Sequence, residues 1–282
     1  MSQKRRLPQL KDLPRTVYAR SESLPAGSLA PAHSHAFGQL SFAGEGVLTV
    51  VTPTGSHVAP PQRAVWLPPG LVHEVTTSQP AEMRSLYIRA DQDIFCPPSC
   101  LVLTVSPLAR ELILAAAALP PEYDAQGPAG RLIAVLLDQL ATLPEAAFSL
   151  PWPADPQLAA VCRALTDAPD DARPMEIIAK DAGMTGRTLA RRFQTATGLS
   201  FGKWRRRQRL LAALAHLDAG ASVTAAGLES GYESVSAFVA AFREAFGITP
   251  GEFARGLRAG PDAETGARTG KTAFSLCKKP AP

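Results

Sequence analysis

Between residues 16 and 105 the apolar positions come in short runs rich in β-formers. Gln39–Phe42, Val47–Val51, Ala64–Leu67 and Ser85–Ile88 are the clearest. Gly27, Gly44, Gly46, Pro53, Gly55, Pro60, Pro61, Pro68 and Gly70 punctuate them. Many short strands at even spacing predict a sandwich or small barrel. From Ser106 the period changes. Ser106-Pro107 reads as a helix cap followed by a first-turn proline, opening a helix to about Ala118. A second helix is expected from about Gly130 to Ala141. Leu108 and Leu112 form a stripe on the first, and Leu132, Leu136 and Leu140 on the second. This segment, 106–150, either covers the core or supplies a dimer contact. Three prolines (Pro151, Pro153, Pro156) mark a domain boundary at about 145–157. Residues 156–257 are helical in pattern. Residues 1–15 read as a flexible arm and 258–282 as a disordered tail. The fold class is therefore α+β, with a β-rich domain first and an all-α domain last.

The helical part contains a repeat. In its first copy Ile177, Ile178 and Ala182 give one buried face, Gly183 follows the helix end, and Thr185 caps the next helix. Leu189 and Phe193 then face inward, four residues apart. Gly231, Ser234, Phe238 and Phe242 repeat the turn glycine, the cap and the inward pair. Phe193 to Phe242 and Gly198 to Gly247 are both 49 residues apart. Two helix-turn-helix units joined by one long helix, about 201–217, follow from this. A short turn with polar and basic side chains early in the second helix is the geometry that places a helix in the major groove of duplex DNA.

Charge supports that reading locally, not globally. The net formal charge of the 282 residues is only +4. Residues 186–209, however, hold eight basic side chains and no acid: Arg187, Arg191, Arg192, Lys203, Arg205, Arg206, Arg207 and Arg209. Such a block attracts phosphate and releases counterions. Arg187 and Arg191 are the first candidates for guanine, through paired bonds to O6 and N7. Thr188 and Gln194 are candidates for base or phosphate. Lys203 and Arg205 to Arg207 either touch phosphate or are simply solvated. In the second unit Ser234 caps its helix, while Ser236 and Arg243 face DNA. No apolar run is long enough for a signal peptide or a bilayer span, so a cytoplasmic protein with no membrane partner is expected. The cysteines are then reduced, and the Cys96–Cys100 spacing has no second pair to complete a zinc site.

Residues of about 156–255 resemble the DNA-binding domain of the AraC/XylS family. The likeness rests on Gly231-Tyr232, Ser236, Phe238, Phe242-Arg243, Phe246-Gly247, Pro250 and Phe253. It implies a transcription factor, not an enzyme, whose two recognition helices enter successive major grooves roughly 34 Å apart. Two positions depart from the family pattern. Ala226-Gly227 stand where Ile-Ala is usual, and a glycine in a helix interior costs about 1 kcal/mol relative to alanine. Ala240 replaces an arginine that the first unit retains as Arg191. Between 210 and 257 two basic residues face five acids. The first unit should therefore carry most of the affinity.

In the β-rich half His33 and His35 lie one residue apart, Gln39 follows, and His73 comes from a later segment. Alternating histidines on a strand face one side, and neutral imidazoles that converge suit a divalent metal. The spacing resembles the cupin signature, whose usual ligands are three histidines and a glutamate. Gln39 takes the place of the glutamate, and Gln62 that of a usual glycine. The resemblance implies a cupin-like barrel that serves as a sensor for a small-molecule effector. His33, His35, Gln39 and His73 then either line the effector pocket or hold a metal through the three histidines. Trp66, Phe37 and Tyr87 are candidates for an apolar wall, or for plain core. A homodimer is a further expected state, and an activator would also engage RNA polymerase. A metal-dependent cupin enzyme and a nucleoid-type structural binder are the competing classes.

Overall fold

The computed structural model describes residues 3–4, 12–92, 94–95, 100–146 and 148–259. The first domain is built from β1 (Gln3–Lys4), β2 (Val17–Leu24), β3 (Ser28–His33), β4 (Gly38–Glu45), β5 (Leu48–Thr52), β6 (Gly55–Ala59), β7 (Arg63–Leu67), β8 (His73–Thr76), β9 (Ala81–Ile88) and β10 (Leu101–Thr104). Helices α1 (Pro107–Ala117) and α2 (Pro128–Leu140) and a last strand, β11 (Ser149–Pro151), follow. One sheet has the order β1-β3-β8-β5-β6-β11, the other β10-β7-β4-β9-β2. The four runs read as strands fall on β4, β5, β7 and β9.

The face between the sheets holds Val50, Val58 and Val75 from one and Val65, Leu67 and Met83 from the other. The second sheet is buried on both sides. Leu40, Phe42, Trp66, Leu86 and Ile88 point outward and meet Ile113, Ile133 and Leu136 of the two helices. That double burial is why β4 reads as an apolar run without clean alternation. Ser106 caps α1, its side chain accepting from the Ala109 amide. The buried stripe of α1 is Ala109, Ile113 and Ala116. The expected Leu108 is 55% exposed. Two alanines let the helix lie close to the sheet, and the leucines turn to its flank.

The expected boundary at 145–157 is not a bare linker. Ser149–Pro151 pairs antiparallel with β6 as an edge strand, where a proline costs no ladder bond. The second domain seats on this strand. It comprises α3 (Pro156–Asp167), α4 (Met175–Asp181), α5 (Gly186–Thr197), α6 (Phe201–Asp218), α7 (Val223–Glu229), α8 (Val235–Phe246) and α9 (Pro250–Ala259). The Trp204 indole donates to the Pro151 carbonyl at 2.7 Å, and Arg207 donates to the Ser149 carbonyl at 3.1 Å. Phe148 stacks on Phe246 with centroids 4.5 Å apart. Ser78 donates to the Asp218 carboxylate at 3.2 Å.

The expected arm and tail lie almost wholly outside the described residues, as does Cys96. Within the arm, Gln3–Lys4 pairs in parallel with Ser28–Leu29. Among the described residues, Cys100 and Cys162 are free thiols, and burial pushes both up to about 12.

Candidate functional site

The two helix-turn-helix units are α4–α5 and α7–α8. Gly183 and Gly231 take φ of +69° and +80°, the left-handed turn that a Cβ would strain. Thr185 and Ser234 cap the second helices, accepting from the Thr188 and Ala237 amides. Leu189 and Phe193, and likewise Phe238 and Phe242, are fully buried. These pairs lock the rotation of each helix. The stripe left outward on α5 is Arg187, Arg191 and Gln194, all exposed; on α8 it is Ser236, Ala240 and Arg243, also exposed. Gly227 is buried, and a Cβ there would lie 2.9 Å from Cδ1 of Phe238. The helix-breaking residue of the sequence is therefore where a large aromatic comes in closely.

Five of the eight basic side chains in the block have partners within the protein. Arg205 donates to the backbone carbonyls of Arg173 and Asp171, and Arg209 to those of Pro169 and Asp171. Arg207 holds β11. Arg192 pairs with Asp155, the cap of α3, and holds its carboxyl below the usual carboxylate range. Arg206 pairs with Glu244. Arg205 and Arg209 tie α6 to the loop before α4, and Arg207 ties it to the barrel, whereas Arg206 stays exposed in a surface pair with α8. Arg187, Arg191 and Lys203 remain exposed, without a hydrogen bond or ion pair from their side chains among the described residues. Thr188 is half-buried and hydrogen-bonded through its hydroxyl to Thr185 at 3.0 Å, and Gln194 donates to the Gly198 carbonyl at 2.9 Å.

In the barrel, His33 and His73 are register partners on β3 and β8. Their rings lie 4.3 Å apart, and His35 is 5.1 Å from His73. One ligand atom from each of the three lies within 4.8 Å of the others. The Nδ1 atoms face the carbonyls of Pro31 (2.8 Å), Phe37 (2.6 Å) and Leu71 (2.9 Å). A carbonyl only accepts, so each Nδ1 carries the proton. His73 Nε2 is buried without a hydrogen-bond partner among the described residues. Burial lowers His73 to about 4, with the two neighbouring histidines adding to the effect. Gln39 Oε1 lies 2.8 Å from His35 Nε2, so that nitrogen faces an acceptor, and the Gln39 amide nitrogen donates to the hydroxyls of Ser41 (2.9 Å) and Ser85 (3.3 Å). Phe37 stacks on His35 at 4.5 Å, and Tyr87 meets it edge-on at 5.9 Å.

Residues 17–180 match the model of the AraC-like ligand binding domain, and residues 178–256 that of a helix-turn-helix domain. The chain belongs to the AraC family of transcription regulators. The HTH-type transcriptional regulator NimR of Escherichia coli K12 is 34% identical over 224 residues, 79% of this regulator and 82% of the relative. The HTH-type transcriptional regulator RipA of Corynebacterium glutamicum is 35% identical over 106 residues, covering 38% and 32% of the two chains. Among solved structures, ToxT from Vibrio cholerae is 9% identical, with 86% and 98% coverage and a TM-score of 0.38. The regulator thus combines a ligand-binding domain with a DNA-binding domain.

Of the three candidates for an apolar wall or plain core, Trp66 takes the core alternative. Trp66 of the regulator points out of the barrel, packing on Phe95 at 4.8 Å. Phe37 and Tyr87 do flank the histidines. The sequence reading missed Tyr18, stacked on Tyr87 at 6.0 Å, and Ser41 and Ser85, which orient Gln39. The signal for Ser41 was present: it lies two residues from Gln39 on a strand and so shares its face. Gln62 takes φ of +65°, the conformation for which the usual glycine would be suited.

Proposed function

We propose that this regulator reads duplex DNA mainly through Arg187 and Arg191 of α5, with Lys203 on phosphate. In this reading α8 makes the weaker contribution, through Ser236 and Arg243. The observation that carries it is the partition of the basic block. Five cations have partners within the protein, and the two arginines left without one share one exposed stripe of a helix capped for groove entry. Ser234 and Thr188 then act through helix geometry and Arg205 through the α6 anchor. Purified protein and its own upstream DNA supply the test, at a fixed salt concentration. Arg191→Ala should weaken binding by about fivefold or more, the range for one paired guanine contact of about 1–3 kcal/mol. Arg243→Ala should cost several-fold less. Equal losses would remove the asymmetry.

We further propose that the histidine cluster is where the small-molecule effector, or a divalent metal acting with it, is sensed. The donor set fits a divalent ion that favours nitrogen: His33, His35 and His73 would hold it, the Nε2 of His73 being buried without a hydrogen-bond partner among the described residues and His35 exchanging its Gln39 contact for the ion. Such an ion would supply a Lewis-acidic anchor for an effector. Phe37 and Tyr87 give the same spot an aromatic side. Metal analysis of protein purified without chelator, with His73→Ala as control, tests the metal arm. Absence of stoichiometric metal in both would leave the histidines as an effector-lining cluster alone. A cytoplasmic location and a homodimer through α1 and α2 fit the same reading, the latter because Leu108 and Val135 are 55% and 47% exposed there.

A further inference from the structure

The 49-residue repeat that aligns Phe193 with Phe242 also aligns the two outward stripes position by position. Arg187, Arg191 and Gln194 correspond to Ser236, Ala240 and Arg243. All six are exposed, and within each set they are four and then three residues apart, so each set forms one continuous stripe. The helix rotation that presents them is the same, because the same two inward positions are fully buried in both units. The chemistry they present is not. The stripe of α5 offers two guanidinium forks. The stripe of α8 offers a hydroxyl, a methyl and, in its last turn, one cation. Ala237, exposed beside Ser236, and half-buried Val239 extend the methyl surface. Neither Ala240 nor Ala237 can donate to or accept from a base edge. What a bare methyl can recognise in the major groove is the C5-methyl of thymine.

We infer that the two helices read chemically different half-sites: α5 a guanine-bearing one, and α8 a thymine-bearing one recognised through methyl contacts of Ala240 and Ala237. The inference rests on the reading of α5 and α8 as the groove-entering helices. The operator is then asymmetric within one binding unit, with the two elements centred roughly 10–10.5 base pairs apart.

Selection of the full chain against random duplexes comes first. It should return one guanine cluster and one thymine cluster at that spacing. In the selected duplex, thymines of the second cluster are then replaced by deoxyuridine, which removes only the C5-methyl. Binding should fall about fourfold for each contacted methyl, the loss expected for one buried carbon. The same replacement outside that cluster should change nothing. Ala240 is exposed, so Ala240→Arg can be made without disturbing the core; it should move the preference of the second cluster to guanine. Guanine or cytosine in the second cluster with the native protein, or indifference to deoxyuridine, overturns the inference while leaving a two-headed DNA reader standing. Recovery of no preferred sequence at all overturns both.

Discussion

Replacing Gly227 by alanine sets two known effects against each other. A glycine-to-alanine change inside a helix should stabilise by about 1 kcal/mol, from propensity alone. Here the new methyl would stand 2.9 Å from Cδ1, 3.0 Å from Cγ and 3.2 Å from Cβ of Phe238. Phe238 cannot swing away: it is fully buried, with Phe242 at 5.6 Å and Tyr232 at 5.3 Å between ring centroids. Overpacking of a filled core costs about 1–3 kcal/mol. The net expectation is a loss of about 1 kcal/mol, the opposite sign to propensity. The first unit shows how the clash can be relieved. The corresponding pair there is Ala179 and Leu189, both fully buried, so a larger helix residue goes with a smaller partner. Phe238→Leu alone should cost about 1–2 kcal/mol through the space it leaves. The double variant should recover at least about 1 kcal/mol relative to the sum of the two single changes. Urea denaturation of the four proteins measures this. Strict additivity, or a stabilised Gly227→Ala, would refute the packing argument.

Asp218 faces Ser78 across the domain contact, and burial raises its carboxyl to about 6. Its protonated form is favoured in the fold, so this contribution is complete below about pH 4 and is lost as pH rises through 6. Asp218→Asn should therefore stabilise the protein at pH 7.5 by about 1 kcal/mol after solvent screening, with no gain at pH 4, as read from denaturation midpoints. His57 has the opposite slope. Burial lowers it to about 4, so its contribution is complete above pH 6.5 and fades as pH falls toward 4; His57→Gln should flatten that acid limb. Gln62→Gly removes a left-handed non-glycine residue at a strain of about 1 kcal/mol, against a comparable gain in unfolded-chain freedom. Its denaturation midpoint should move little or upward, and a large loss would reveal a role for the glutamine side chain. Phe148→Ala removes a buried ring that carries the Phe246 stack and lies 5.3 Å from the Arg63 guanidinium; a loss of about 3–5 kcal/mol in global stability is expected.

The helical half was legible because its signals are local. Caps at Thr185 and Ser234, turn glycines and inward pairs four residues apart each sit within a dozen residues, and each falls where the sequence places it. The barrel was legible only in its most buried strands. β2 carries Arg20, Ser21, Glu22 and Ser23 because it lies at a sheet edge, so its composition resembles a loop. β6 begins on Gly55, which reads as turn punctuation. Trp66 could not be assigned a side from the sequence, since both faces of its sheet are buried. The partners of the basic block were not legible for a different reason: a string of arginines has the same charge whether it meets phosphate or backbone carbonyls. Only the positions of Asp171, Pro169 and Ser149 in three dimensions distinguish these partners.

The strand Ser149–Pro151 has a consequence for how this chain can be divided. A cut before α3 looks natural in the sequence, at a cluster of prolines. It would leave the Trp204 indole without its acceptor and the ring of Phe246 without its cover, and would strip Arg207 of the carbonyl it holds. An isolated DNA-reading half would therefore carry an oily, hydrogen-bond-hungry scar on the side where the barrel had been. Deleting the sensor to obtain an always-on reader should instead yield a sticky, aggregation-prone fragment, whereas a cut that keeps residues 148–151 with the helices retains the seat.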